Sequence, residues 1–192
     1  MAILETIFRR QSEEETLLER LKAGDATAAE QLYRRHARYL TAVCSRYLSN
    51  DEDVKDVLQE SFLKIFSSIG HFRYQGKGSL RAWMTRIVIN ESVNHLKAGN
   101  RLTFTDLQEE HTGLTDEEPD TEEIPTEVLH RFVRELPEGY RLVLNLYVME
   151  GKSHKEIADM LGIKVNTSAS QLHKAKAALA TRINQYRKEK HR

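Results

Sequence analysis

The chain of 192 residues is short of most of the signals that would make it an enzyme, a secreted domain or a membrane protein. Its single cysteine, Cys44, cannot form an internal disulfide and cannot contribute to a cysteine cluster for zinc. With Val43 and Tyr47 beside it at helical spacing, it reads as a buried thiol and not as a nucleophile. Nowhere do apolar residues run for the 18 or so positions that a membrane span needs, so no membrane insertion is expected. The first residues, MAILETIFRRQSEEE, lack the apolar core and small-residue cleavage site of a secretory leader, so a cytoplasmic location is expected. The eight histidines are scattered and form no metal set. No nucleophile elbow, phosphate-cradling glycine loop or cluster of catalytic carboxylates is present. Hence no catalytic residue, no metal and no cofactor is assigned, and the chain is not expected to be an enzyme. Three prolines, nine glycines and few strand signals leave nearly continuous helical periodicity, which predicts an all-α fold.

Net charge is also missing, since 29 basic residues balance 29 acidic ones. The zero hides a segregation. Residues 131–192 hold 13 Lys/Arg and 6 Asp/Glu, whereas residues 101–130 hold 1 and 10. A basic block beside an acidic one points to a polyanionic partner for the former. The acidic block has Pro119 and Pro125 and no apolar period, so residues 101–127 read as a flexible linker. Two small helical domains are expected around it, at 1–100 and 128–192.

The C-terminal part has the spacing of a helix-turn-helix. Ile157 and Leu161 are apolar one turn apart, and Ala158 is small where a second helix must cross. Gly162 follows, where the turn needs positive φ, and Ile163 plugs the turn. Asn166 or Thr167 is placed to cap the next helix. That helix carries Leu172, Ala175, Leu179 and Ile183 on one side and Ala169, Ser170, His173 and Lys174 on the other. Short and basic side chains suit a B-DNA major groove, although a plain αα-hairpin with a solvated basic face has the same pattern. In the N-terminal part, Asp25 is placed to cap a helix from Ala26 to Leu48, with Ala29, Leu32, His36, Leu40, Val43 and Tyr47 inward. Asn50 or Asp51 would cap a third helix with Val54, Val57, Leu58, Ser61, Phe62 and Ile65 on its core face. Gly70 ends that region, His71 to Gly78 is a loop, and Ser79 would cap a fourth helix with Met84, Ile87 and Leu96 inward. Asp56, Gln59, Glu60 and Leu63 share one outer stripe of the third helix. Taken alone, that stripe is an ordinary solvated face.

Two segments resemble the extracytoplasmic-function sigma factors of bacterial RNA polymerase, within the sigma-70 superfamily. Leu136-Pro137-Glu138, Glu150-Gly151-Lys152-Ser153, Glu156-Ile157-Ala158, Leu161-Gly162-Ile163 and Asn166 through Lys176 are similar to region 4. There, Asn166 replaces a Gly, Ser168 a buried Val, Ala169 a Lys and Gln171 an Arg. Asp56 through Leu63, Gly78 through Met84, Ile87 and Asn90 are similar to region 2. The resemblance implies a factor that directs core RNA polymerase to promoters and initiates transcription. It implies that Asp56, Gln59, Glu60 and Leu63 bind the polymerase clamp, with region 4 on the flap. It implies that Phe72, Arg73, Tyr74, Trp83, Arg86 and Asn90 meet the melted minus-ten element. Lys155, Thr167, Ala169, Ser170, His173 and Lys174 would meet the double-stranded minus-thirty-five element, and an anti-sigma factor is a further partner. The residues alone leave open a one-component helix-turn-helix regulator.

Overall fold

A computed structural model describes residues 13–99, 121–122 and 124–190; most of the segment read as the acidic linker lies outside them. Among the described residues every regular element is helical. A first helix, α1, covers residues 13–22. It is followed by α2 (Ala26–Tyr47), α3 (Asp51–Ser68), a 3-10 turn (Ile69–His71) and α4 (Ser79–Ala98). Then come α5 (Thr126–Arg134), α6 (Glu138–Leu144), a π turn (Asn145–Met149), α7 (His154–Leu161) and α8 (Val165–Lys190). None of these helices is long and apolar enough to cross a membrane.

Side-chain chemistry sets the starts of α2 and α3. Asp25 Oδ1 accepts from the amide of Thr27 at 2.8 Å and that of Ala28 at 3.3 Å, which caps α2. The Thr27 hydroxyl and then the Arg20 guanidinium also bind this carboxylate, and together they hold its pKa well below the usual range. Of the two caps open at α3, the structure uses Asn50, whose side chain accepts from the Glu52 amide at 2.8 Å. Asp51, Glu52 and Asp53 then fill the first turn, where a helix favours negative charge.

Two expected caps are corrected. Ser79 is already helical, and its hydroxyl serves the loop before it, donating to Gly76 O at 2.7 Å and accepting from Gln75 N at 3.1 Å. The long helix α8 begins at Val165, so Asn166 and Thr167 lie inside its first turn. A hydrogen bond from Ser168 N to Lys164 O starts its ladder. Smaller shifts concern the boundaries. Gly70 sits within the 3-10 turn that prolongs α3, and α5 starts two residues inside the range read as linker, with Pro125 at its cap.

Contacts divide the chain into two compact units, residues 1–45 with 50–92, and residues 46–49 with 93–192. In the first, Leu32 and Leu40 from α2, Val57 and Ile65 from α3, and Leu80, Met84 and Val88 from α4 are all fully buried. The inner stripe of α2 includes Ala28, with Ala29 at its margin, and Ile87 likewise sits at the margin of α4. Cys44 is buried, its Sγ 3.5 Å from Ser92 Oγ, and burial raises its thiol pKa. In the second unit α8 packs on α5, α6 and α7. Leu172, Ala175, Leu179 and Ile183 form the buried seam that the periodicity predicts. Arg141 is buried beside them, its Nη1 donating to Arg134 O at 2.7 Å and Leu136 O at 3.2 Å, where it closes the α5–α6 corner.

Candidate nucleic-acid interface

The turn of the helix-turn-helix is built from two devices. Ser153 caps α7 by accepting from the Glu156 amide, while the Glu156 carboxylate accepts from the Ser153 amide at 2.8 Å, a reciprocal capping box. These bonds, with Lys152 nearby, hold the Glu156 pKa low. At the other end Gly162 adopts φ 71°, and both its amide and that of Ile163 bond back to Ala158 O at 2.8 and 3.1 Å. A side chain at 162 would be strained by this φ even though the space around it is open. Ala158 is buried, as a close helix crossing requires.

This turn aims α8. Ala169 and Ser170 are exposed, and His173 and Lys174 are half-exposed on the same side; Lys155 is exposed on α7. The Ser170 hydroxyl donates to Thr167 O at 3.0 Å, which leaves its oxygen able to accept. Thr167 belongs elsewhere. At 7% exposure it lies in the inner layer of the first turn, because the helix starts three residues earlier than its cap assignment needs. As placed, it offers no side chain to a groove. Gln171 is also inside, 2% exposed, and its Oε1 has no hydrogen-bond partner among the described residues.

One contact was not legible from the helix-turn-helix pattern. Ser168, fully buried at the start of α8, has its hydroxyl 3.0 Å from His154 Nδ1 at the start of α7. The His154 ring in turn stacks on Tyr147, centroids 4.8 Å apart and planes at 23°. Tyr147 belongs to the π turn, which is marked by a hydrogen bond from Glu150 N to Asn145 O at 3.2 Å. A hydroxyl at 168 could bond only where a partner reaches it, and the only sequence clue was a Ser on an inward position.

In the first unit the four stripe residues of α3, Asp56, Gln59, Glu60 and Leu63, are all exposed on one face, and Leu63 is 64% exposed despite its apolar side chain. Beside them α2 and α3 leave a groove of about 760 Å³ lined by Tyr33, Leu58, Gln59, Phe62, Leu63 and Phe66. The loop after α3 separates its aromatics. Phe72 is turned inward, 7% exposed, its ring 5.0 Å from Trp83, and its carbonyl accepts from Lys22 Nζ at 2.9 Å. In this structure it is thus a floor residue and not a free stacking surface. Arg73 is exposed, Tyr74 and Trp83 are half-exposed, and Arg86 and Asn90 are exposed on the outer side of α4.

The family model for Sigma-70 region 2 matches residues 32–102, and that for Sigma-70, region 4 matches residues 126–179. The ECF RNA polymerase sigma-E factor of Haemophilus influenzae is 31% identical over 182 residues, covering 88% of this chain and 95% of that protein. The chain belongs to the extracytoplasmic-function sigma factors. The RNA polymerase sigma-H factor of Pseudomonas aeruginosa is 29% identical over 181 residues, covering 88% and 93%. A solved structure titled "Structure of CnrH in complex with the cytosolic domain of CnrY" aligns over 88% of this chain and 96% of its own, with 23% identity and a TM-score of 0.44. As a sigma factor, the protein directs RNA polymerase in transcription initiation. The one-component regulator that the residues had left open is thereby set aside. Its two matched regions coincide with the two segments whose motifs carried the resemblance, and both belong to this sigma factor's helical elements.

Proposed function

We propose that this sigma factor docks on the clamp of core RNA polymerase through the exposed stripe of α3, Asp56, Gln59, Glu60 and Leu63. The observation that carries this reading is Leu63, an exposed leucine lining an apolar groove, on the same face as the exposed Asp56, Gln59 and Glu60. Such an arrangement suits the centre of an interface, where a few side chains carry most of the binding energy. Promoter reading is divided between the units. The loop and outer side of α4, with Arg73, Tyr74, Trp83, Arg86 and Asn90, take the melted minus-ten strand, extruded bases being held by stacking and edge hydrogen bonds. Ala169, Ser170, His173 and Lys174 on α8, with Lys155 on α7, enter the minus-thirty-five major groove. Region 4 also meets the polymerase flap, and an anti-sigma factor competes for these faces. The protein acts in the cytoplasm and makes or breaks no covalent bond of its own; catalysis belongs to the polymerase.

The test is co-purification with core enzyme. Gln59→Ala with Leu63→Ala should weaken the complex while circular dichroism stays unchanged, because both side chains are outside the core. Binding at the wild-type level would remove the α3 assignment.

A further inference from the structure

The first unit sorts its charges by helix. Five acidic side chains and two lysines lie on α3. Along α2 and α4 the balance reverses, with seven cationic side chains and only Glu30 and Glu91 against them. Both of those acids are engaged, Glu30 with Arg34 at 2.7 Å and Glu91 with Lys64 at 2.6 Å. Arg35, Arg38 and Tyr39 stand at i, i+3 and i+4 on one exposed face of α2. From α4, the Arg81 guanidinium lies over the Tyr39 ring at 5.3 Å, and the Thr85 hydroxyl donates to Tyr39 Oη at 3.5 Å. Tyr39 therefore joins the two helices and holds Arg81 beside the α2 arginines.

The three arginines are exposed, and among the described residues none of them meets a carboxylate. Two of them, Arg35 and Arg81, act on one buried group. His36, 5% exposed between the helices, has its pKa pushed down to about 4, first by burial and then by the positive fields of Arg35 and Arg81. Like charges gathered in this way repel one another and add nothing to the fold, but they suit an anion. The fork of each guanidinium matches a phosphate.

We propose that Arg35, Arg38 and Arg81 form a phosphate-binding surface that grips the backbone of promoter DNA independently of sequence. It is distinct from the base-reading face, since Arg86 and Asn90 lie about 140–180° around α4 from Arg81 at 100° per residue. The inference rests on the reading that this unit engages the promoter.

Holoenzyme assembled from core RNA polymerase and the full chain is titrated with a labelled promoter fragment that the wild type transcribes, between 50 and 200 mM salt. Arg35→Gln/Arg38→Gln/Arg81→Gln should reduce the slope of log affinity against log salt by about 2–3, as expected for losing three phosphate contacts. The transcription start and the affinity for core enzyme should not change. If the triple variant loses helical content, the pair Arg35→Gln/Arg38→Gln is read instead, with an expected decrease of about 1.5–2. An unchanged slope overturns the proposal. So does a loss of core binding, which would make the surface polymerase-facing. Arg73→Ala with Tyr74→Ala serves as the control. If it weakens promoter binding while the arginine variants do not, only the phosphate surface is lost. If it too has no effect, the assignment of this unit to the promoter fails with it.

Discussion

His36 shows how one buried side chain ties stability to pH. Its folded pKa of about 4 lies below the ordinary histidine value of 6.5, so the unfolded chain binds the proton more tightly. Its contribution is complete above about pH 7 and is lost as pH falls through 6.5 toward 4. Between pH 7.5 and pH 5 the loss should reach about 2 kcal/mol. Urea unfolding at the two pH values should show this difference in the wild type and a smaller one in His36→Gln. His154 and Ser168 make a second residue-scale case. His154→Leu strands the buried Ser168 hydroxyl and should cost about 1–3 kcal/mol, whereas His154→Leu with Ser168→Val removes both polar partners and should come close to neutral. A double-mutant cycle in thermal unfolding reads the coupling, and additive costs would mean that the bond holds nothing.

Elements follow their local chemistry, and here the sequence was most informative. The Asp25 cap, the αL glycine at 162 and the apolar seam of α8 all stand where spacing put them, because each depends on a residue and its near neighbours. What stayed hidden depended on the third dimension. The starting residue of α8 decides whether Thr167 faces in or out, and one turn of Val165-Asn166 cannot be told from a loop by period alone. Phe72 looked available as a loop aromatic until Trp83 was seen beside it. The π turn was equally silent, since one additional residue in an apolar run keeps the run apolar. Two tests belong to this scale. Gly162→Ala should cost about 1–2 kcal/mol through its φ of 71° alone, seen as a lower midpoint in thermal unfolding of the full chain. Deleting Val148, an exposed residue of the π turn, should let that turn close as α-helix and leave most helical content intact. Deleting Ala158 from α7 should not be tolerated, as circular dichroism would report.

At the scale of the whole molecule, a net charge of zero conceals blocks of opposite sign. The acidic segment with Glu117, Glu118, Asp120, Glu122 and Glu123 adjoins the basic C-terminal block in sequence. Changing these five residues to Gln or Asn in the full chain should tighten binding of the free protein to minus-thirty-five DNA at low salt, and the gain should fade as salt screens it. Equal binding by both forms in a low-salt gel shift would leave the segment as a tether. Composition made this segregation legible, while a second sorting of charge, between the helices of the first unit, needed the fold. That sorting has a consequence in time. With five acids on α3 and an arginine face on α2 and α4, a nearby polyanion exerts a torque on this unit. Collisions are then biased toward one orientation before any atom touches, so the arginines act first on how often an encounter succeeds and only later on how long it lasts.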